Sequence, residues 1–181
     1  VLGRVAELYG KIRPVLKEQI LTAYDGMVAD LGKGIELRVL ETLGHASHHL
    51  SFFENLGRGV FPGDAGGIYV NALEVALASI NRLITLKPKQ LYYTHFGPAD
   101  NAVKRLEEYA SQLKLWAKII SDSIKNEDNL DTIYQKILQQ DASMKAAIDH
   151  LQRNIIFREG VIQQDIQGFI EYLKKNPFSF R

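Results

Sequence analysis

Residues Glu41 to Phe53 read ETLGHASHHLSFF and gather three of the chain's five histidines, His45, His48 and His49, into five positions. β-forming residues lead into Gly44-His45, small residues follow, and a second apolar run from Leu50 to Phe53 closes the stretch. That pattern describes a strand, a loop carrying side chains into a site, and a return strand. Two later stretches repeat it. Gly59 to Ala65 (GVFPGDA) and Leu91 to Pro98 (LYYTHFGP) each end a short apolar run on a potential ligand, Asp64 and His95. Three strand ends therefore present His, Asp and His, nitrogen and oxygen donors suited to zinc, iron or manganese.

The remainder of the chain can be read around these three points. Val1 to Tyr9 has Leu2, Val5, Ala6 and Tyr9 at helical spacing, with Gly10 as its stop. Ile20 to Tyr24 reads as a strand, Asp25-Gly26 as a turn and Met27 to Leu31 as a second strand. Gly32-Lys33-Gly34 then turns the chain into the strand Ile35 to Leu40. Ala72 to Leu86 is a helix by its stripe of Leu73, Ala76, Leu77, Ile80, Leu83 and Ile84, and Leu91 to Thr94 is the last strand. After Pro98 hairpins give way to helices. Asp100 is placed to cap one that reaches Lys125, with Trp116 as a packing anchor, and others follow over Leu130 to Gln139, Ala142 to Arg158 and Val161 to Lys174.

The motifs GHASHH, PGDA and THFGP, in that order and each beside a strand, resemble the second half of the metallo-β-lactamase superfamily. The resemblance covers Gly34 to Pro98. It implies an α/β fold of the αββα sandwich type, represented by its second half over residues 1–98, with an appended helical region over 99–181 packed on that core. It implies that His45 and His95 each hold a metal ion and that Asp64, the catalytic carboxylate, bridges the two. His49 falls where many relatives carry a second histidine in this loop and is assigned to support of the site. The cofactor implied is a pair of divalent ions, zinc with iron or manganese as alternatives. The activity implied is that of a binuclear, glyoxalase II-like metallohydrolase, in which metal-activated water attacks an ester, thioester or amide.

The family's His-x-His-x-Asp-His string does not occur in the chain. With Val1 at the start and no initiator methionine, the expectation is a chain that opens partway through the family's fold and binds metal weakly alone. Ile68 runs to Leu73 with little between them, so the long loop that relatives carry there is expected to be absent. Two other functions are compatible with the same motifs. One is a catalytically silent module whose helices bind a protein partner; the other is a nuclease branch of the superfamily.

Lys and Arg number 22 against 21 Asp and Glu, which weighs against the nuclease, because phosphate backbones select concentrated basic faces. No apolar run approaches the ~20 residues of a membrane span, and Arg4, Glu7 and Lys11 interrupt any signal-peptide core. The chain has no cysteine, which fits a reducing compartment and a cytoplasmic location. A small-molecule substrate, no nucleic acid and no membrane complete the expectation, with a homodimer through the C-terminal helices as a minor alternative. His48 reads as solvated, His150 as structural, and Tyr92 and Tyr93 as alternating between core and groove.

Overall fold

The computed structural model describes residues 13–66, 72–95, 97–151 and 161–176, with the side chains of 147–151, 161 and 164 outside that description. Six strands form one mixed sheet in sequence order: β1 (Val28–Asp30), β2 (Glu36–Glu41), β3 (Leu50–Glu54), β4 (Gly59–Phe61), β5 (Gln90–Tyr93) and β6 (Gly97–Asp100). Every neighbouring pair is antiparallel except β4 and β5. Parallel neighbours need a crossover, and the helix α1 (Leu73–Thr85) lies between them in the chain. From these pairings β2, β4 and β5 run in one direction, so their C-terminal ends share one end of the sheet. Those are the three ends that precede His45, Asp64 and His95.

Side chains alternate across the sheet. Leu40, Val60 and Leu91 point to the face that α1 covers, together with α2 (Ala102–Lys125) and α5 (Val161–Lys175). Leu73, Ile80, Leu83, Leu106, Ile120 and Ile166 are completely buried in the same apolar cluster, each contributing about 1.5–3 kcal/mol. On the opposite face Phe61 stacks on Tyr92, with ring centroids 4.8 Å apart. Tyr93 packs against the core cluster, so the two tyrosines do alternate between faces.

Polar clamps fix the elements relative to one another. Arg82 on α1 donates to the Glu41 carbonyl and pairs with Asp25, whose other role is to accept from the Glu41 amide. The corner between α3 (Leu130–Gln140) and α4 (Ala142–Leu151) is built on Asp141, which is 5% exposed. Its carboxylate accepts from Trp116 Nε1, Gln112 Nε2, Ser143 Oγ and the Met144 amide. Trp116 is thus an anchor through its N–H as well as its ring.

Several expectations are corrected. Ile20 to Tyr24 is not a strand; Ile20, Leu21 and Tyr24 are exposed, and with no ladder partner their β propensity has nothing to act on. Leu91 to Thr94 is not the last strand, because Gly97–Asp100 adds an edge strand. Pro98 is tolerated there since an edge strand must bond on one side only. Asp100 does not cap α2: it ends β6, and Asn101 occupies the N-cap with no side-chain cap bond. The helix over Val1 to Tyr9, the Ile68 to Leu73 segment up to 71, residues 152–158 and the His150 side chain lie outside the described residues. No described helix is long and apolar enough to cross a membrane.

Candidate metal centre

Each expected ligand arrives directly after its strand. His45 sits in the loop between β2 and β3, and that loop lies flat against α1. A Cβ on Gly44 would come within 2.8 Å of Ala76, so only glycine permits this approach. Ser79 Oγ donates to the Leu43 carbonyl at 2.7 Å and holds the loop there. Asp64 lies in a 3-10 turn, Gly63–Gly66, entered through Gly63 at φ +54°. His95 follows β5 and is the most open of the three, with 56% of its side chain exposed against 28% for His45 and 29% for Asp64.

The three side chains meet. His45 Nε2 lies 3.5 Å from Asp64 Oδ2, and His95 Nε2 lies 3.6 Å from Asp64 Oδ1. Both separations exceed the ~2.7–3.2 Å of an N–H···O bond. They match a different geometry: with metal–nitrogen and metal–oxygen distances near 2.1 Å and a tetrahedral angle, two ligands of one ion stand about 3.4 Å apart. Asp64 Oδ1 is buried and has no hydrogen-bond partner among the described residues, an arrangement that is costly for a carboxylate unless something else satisfies the oxygen. Among the described residues no three His, Cys, Asp or Glu side chains converge on one ion position. The two histidines approach different oxygens, so each position would receive one nitrogen and one oxygen from these residues. The donor set therefore fits a carboxylate-bridged pair of divalent ions, with further ligands needed for each.

His49 stands between the histidine loop and Asp64. Its Nε2 accepts from the Asp64 amide at 3.0 Å, its Nδ1 lies 2.9 Å from Thr42 Oγ1, and its ring meets His45 edge-on at 5.8 Å. Burial, reinforced by the neighbouring His45, pushes its imidazole below the usual histidine value, which favours the neutral ring. Both ring nitrogens are engaged within the chain. His48 is exposed and adds a smaller electrostatic push on His49 in the same direction.

Two residues that carry no sequence signal, Asp165 and Tyr109, are linked electrostatically to this region, together with Tyr93. Asp165, on α5, interacts electrostatically with His45, and burial raises its carboxyl to about 6. Tyr109, on α2, lies in the field of Asp165 and Tyr93, and burial raises its hydroxyl well above the ordinary tyrosine value. Burial likewise raises Tyr93, whose neighbours include Arg105 and Glu108. Burial thus makes each of the three groups hold its proton more tightly than it would in water. In the sequence Asp165 and Tyr109 are single polar residues on amphipathic helices, indistinguishable from their solvated neighbours.

Comparison with known proteins gives the following. No family model matches the chain. The metallo-beta-lactamase fold-containing protein ST1585 of Sulfurisphaera tokodaii is 30% identical over 125 residues, a match covering 62% of this chain and 46% of that protein. The crystal structure of the metallo-beta-lactamase family protein TTHA1429 from Thermus thermophilus superposes with a TM-score of 0.61 at 22% identity, covering 86% of this chain and 49% of the other. A beta-lactamase domain protein from Burkholderia ambifaria gives a TM-score of 0.53 at 17% identity, over 61% of this chain and 38% of that one. The chain thus spans about half the length of the proteins it matches. The mixed sheet with its C-terminal helices is the corresponding part of their fold.

Proposed function

We propose that this chain, which shares the fold of metallo-β-lactamase family proteins over about half their length, belongs to that superfamily and contributes to a two-metal hydrolase acting on an ester, thioester or amide in a small molecule. The observation that carries this reading is the pair of contacts on Asp64, one oxygen toward His45 and the other toward His95. A carboxylate shared between two imidazoles in this way is suited to bridging ions. In this role His45 would hold one ion, His95 the other, and Asp64 both, with zinc preferred and iron or manganese accepted by the same donors. Divalent ions held there would lower the pKa of water and polarise a substrate carbonyl.

The chain's own residues supply placement. The Gly44–Ala76 contact fixes the depth of the His45 loop, and His95, more than half exposed, leaves the centre open on the side of β5.

Metal titration of the full chain, with zinc and manganese separately, tests the reading. Asp64→Asn is expected to weaken uptake at both positions by at least about 10-fold, since an amide is neutral and bridges poorly, while His45→Ala and His95→Ala each remove one. Hydrolysis of a thioester, ester and amide panel with and without a chelator follows on the loaded protein. Metal uptake equal in Asp64→Asn and the natural sequence would refute the assignment.

A further inference from the structure

A chain of four hydrogen bonds runs from Pro62 through Ser51, Thr42 and His49 to Asp64, two of them joining the β2–β3 pair to the turn, and their directions can be deduced in order. The Pro62 carbonyl only accepts, so Ser51 Oγ, at 3.0 Å, donates to it. Ser51 has a single hydroxyl proton, and at 2.6 Å Thr42 Oγ1 must therefore donate to Ser51. That commits the Thr42 proton, so the 2.9 Å contact with His49 requires a proton on Nδ1. At the other side of the ring the Asp64 amide can only donate, so Nε2 carries a lone pair. One tautomer alone satisfies every link, and Thr42 and Ser51 are fully buried, where water cannot repair a mismatch.

The two ends of this chain of bonds lie on either side of a single residue. Pro62 contributes the carbonyl of the peptide entering Gly63, and Asp64 contributes the amide of the peptide leaving it. Both planes that set the Gly63 backbone are thus held from β2 and β3. There is no slack on that side, since a Cβ on Gly63 would stand 2.6 Å from His49 Nε2.

We propose that His49 is a positioning residue, held as the Nδ1–H tautomer by Thr42, Ser51 and Pro62, which sets the orientation of the Gly63–Asp64 peptide and so directs the two Asp64 oxygens to opposite histidines. The inference deepens the reading of Asp64 as a bridge and rests on it for its functional meaning. The tautomer and the peptide orientation are physical states of the chain that can be measured without metal.

The first measurement is a long-range 15N–1H spectrum of the histidine rings in the metal-free full chain. His49 is expected as the Nδ1–H tautomer. Thr42→Val removes the acceptor that Nδ1 needs and is expected to produce a mixture of tautomers and at least about 10-fold faster hydrogen exchange at the Asp64 amide, while Thr42→Ser restores both. A dominant Nε2–H form in the natural sequence, or no change in Thr42→Val, overturns the proposal.

The second measurement is metal uptake in two His49 variants. His49→Gln keeps an acceptor near the position of Nε2 and is expected to stay within about 3-fold of the natural affinity. His49→Asn keeps a donor toward Thr42 but leaves the Asp64 amide unbonded, and is expected to lose about 10-fold or more. Equal affinity in both variants and the natural sequence, with metal bound, overturns the positioning role while leaving the two-metal reading intact. A chain that takes up no metal but shows the expected tautomer and exchange overturns the two-metal reading and supports the positional one.

Discussion

Replacing Gly63 by alanine tests how the turn is held, because two separable effects act at one position. Gly63 has φ +54°, a region that costs an L-residue about 1–2 kcal/mol. The new methyl would also meet His49 Nε2 at 2.6 Å and Cε1 at 2.9 Å, distances that force the imidazole away. Displacing the ring removes the acceptor of the Asp64 amide, a partly buried donor whose loss adds about 1–3 kcal/mol. The total expected destabilisation is about 2–5 kcal/mol. Gly97→Ala provides the control, since Gly97 has φ +75° but nothing within 4 Å of the place its methyl would take. Alanine also restricts the unfolded chain, a stabilisation of about 0.4–1 kcal/mol that applies equally at both sites and cancels between them. Urea unfolding with unchanged m-values should therefore place Gly63→Ala about 1–3 kcal/mol below Gly97→Ala. Two variants within about 0.5 kcal/mol of each other would show that the His49 contact adds nothing, and the account of the turn would fall.

Two aspartates should give pH effects of opposite sign. Burial alone would raise the Asp141 carboxyl, but the bonds from Ser143, Met144, Trp116 and Gln112 outweigh it and hold the group below the usual range. Asp141→Ala should then cost about 3 kcal/mol or more at pH 7, with the difference from the natural sequence narrowing in thermal melts as pH falls below the unfolded value of 3.8 and through the folded one. Asp165 is raised to about 6 by burial, against the pull of His45, so the folded state holds its proton more tightly than the unfolded chain does. Its contribution is most favourable below pH 4 and is lost as pH rises to about 6, so Asp165→Asn should stabilise at pH 7 and have no effect near pH 3.5. Discounted for partial exposure, the gain at pH 7 is about 1–2 kcal/mol; equal melting shifts at both pH values would refute it.

What the sequence disclosed, and what it hid, follows from the range of the interactions involved. His45, Asp64 and His95 were legible because metal-binding residue types stood beside glycine at the ends of apolar runs, a local signal. β2, β3 and α1 were legible for the same reason, their apolar spacing being short-range. β6 was not, because Gly97-Pro98-Ala99-Asp100 carries turn residues and becomes a strand only by pairing with β5. Asp100 looked like a cap because a cap and a strand end are the same residue type in different surroundings; its carboxylate instead accepts from Gln90 across the ladder. The packing of α5 on α2 brings Asp165 into the field of His45, and Tyr109 into that of Asp165, which no local pattern encodes.

The same distinction explains why the supporting bonds depend on strand register more than on the identity of the loop. Leu40 pairs with Ser51 and Glu41 with Leu50, and the Thr42 amide donates to the His49 carbonyl at 3.1 Å, so Thr42 and His49 continue the β2–β3 ladder by one step. Side chains alternate along a strand, which puts Thr42, His49 and Ser51 on the face of Leu40, toward the core. A slip of one residue in β3 would turn Ser51 and His49 to the opposite face and bring Leu50 and Phe52 inward, breaking every link from Pro62 to Asp64 at once. The apolar residues that fix this register, Leu40, Phe53 and Val60 among them, touch no ligand, yet they decide where the Asp64 carboxylate faces. Stability of the sheet and geometry of the candidate centre are consequently one property here, and a core substitution that loosens the β2–β3 pair should be felt first as a loss of order at His49.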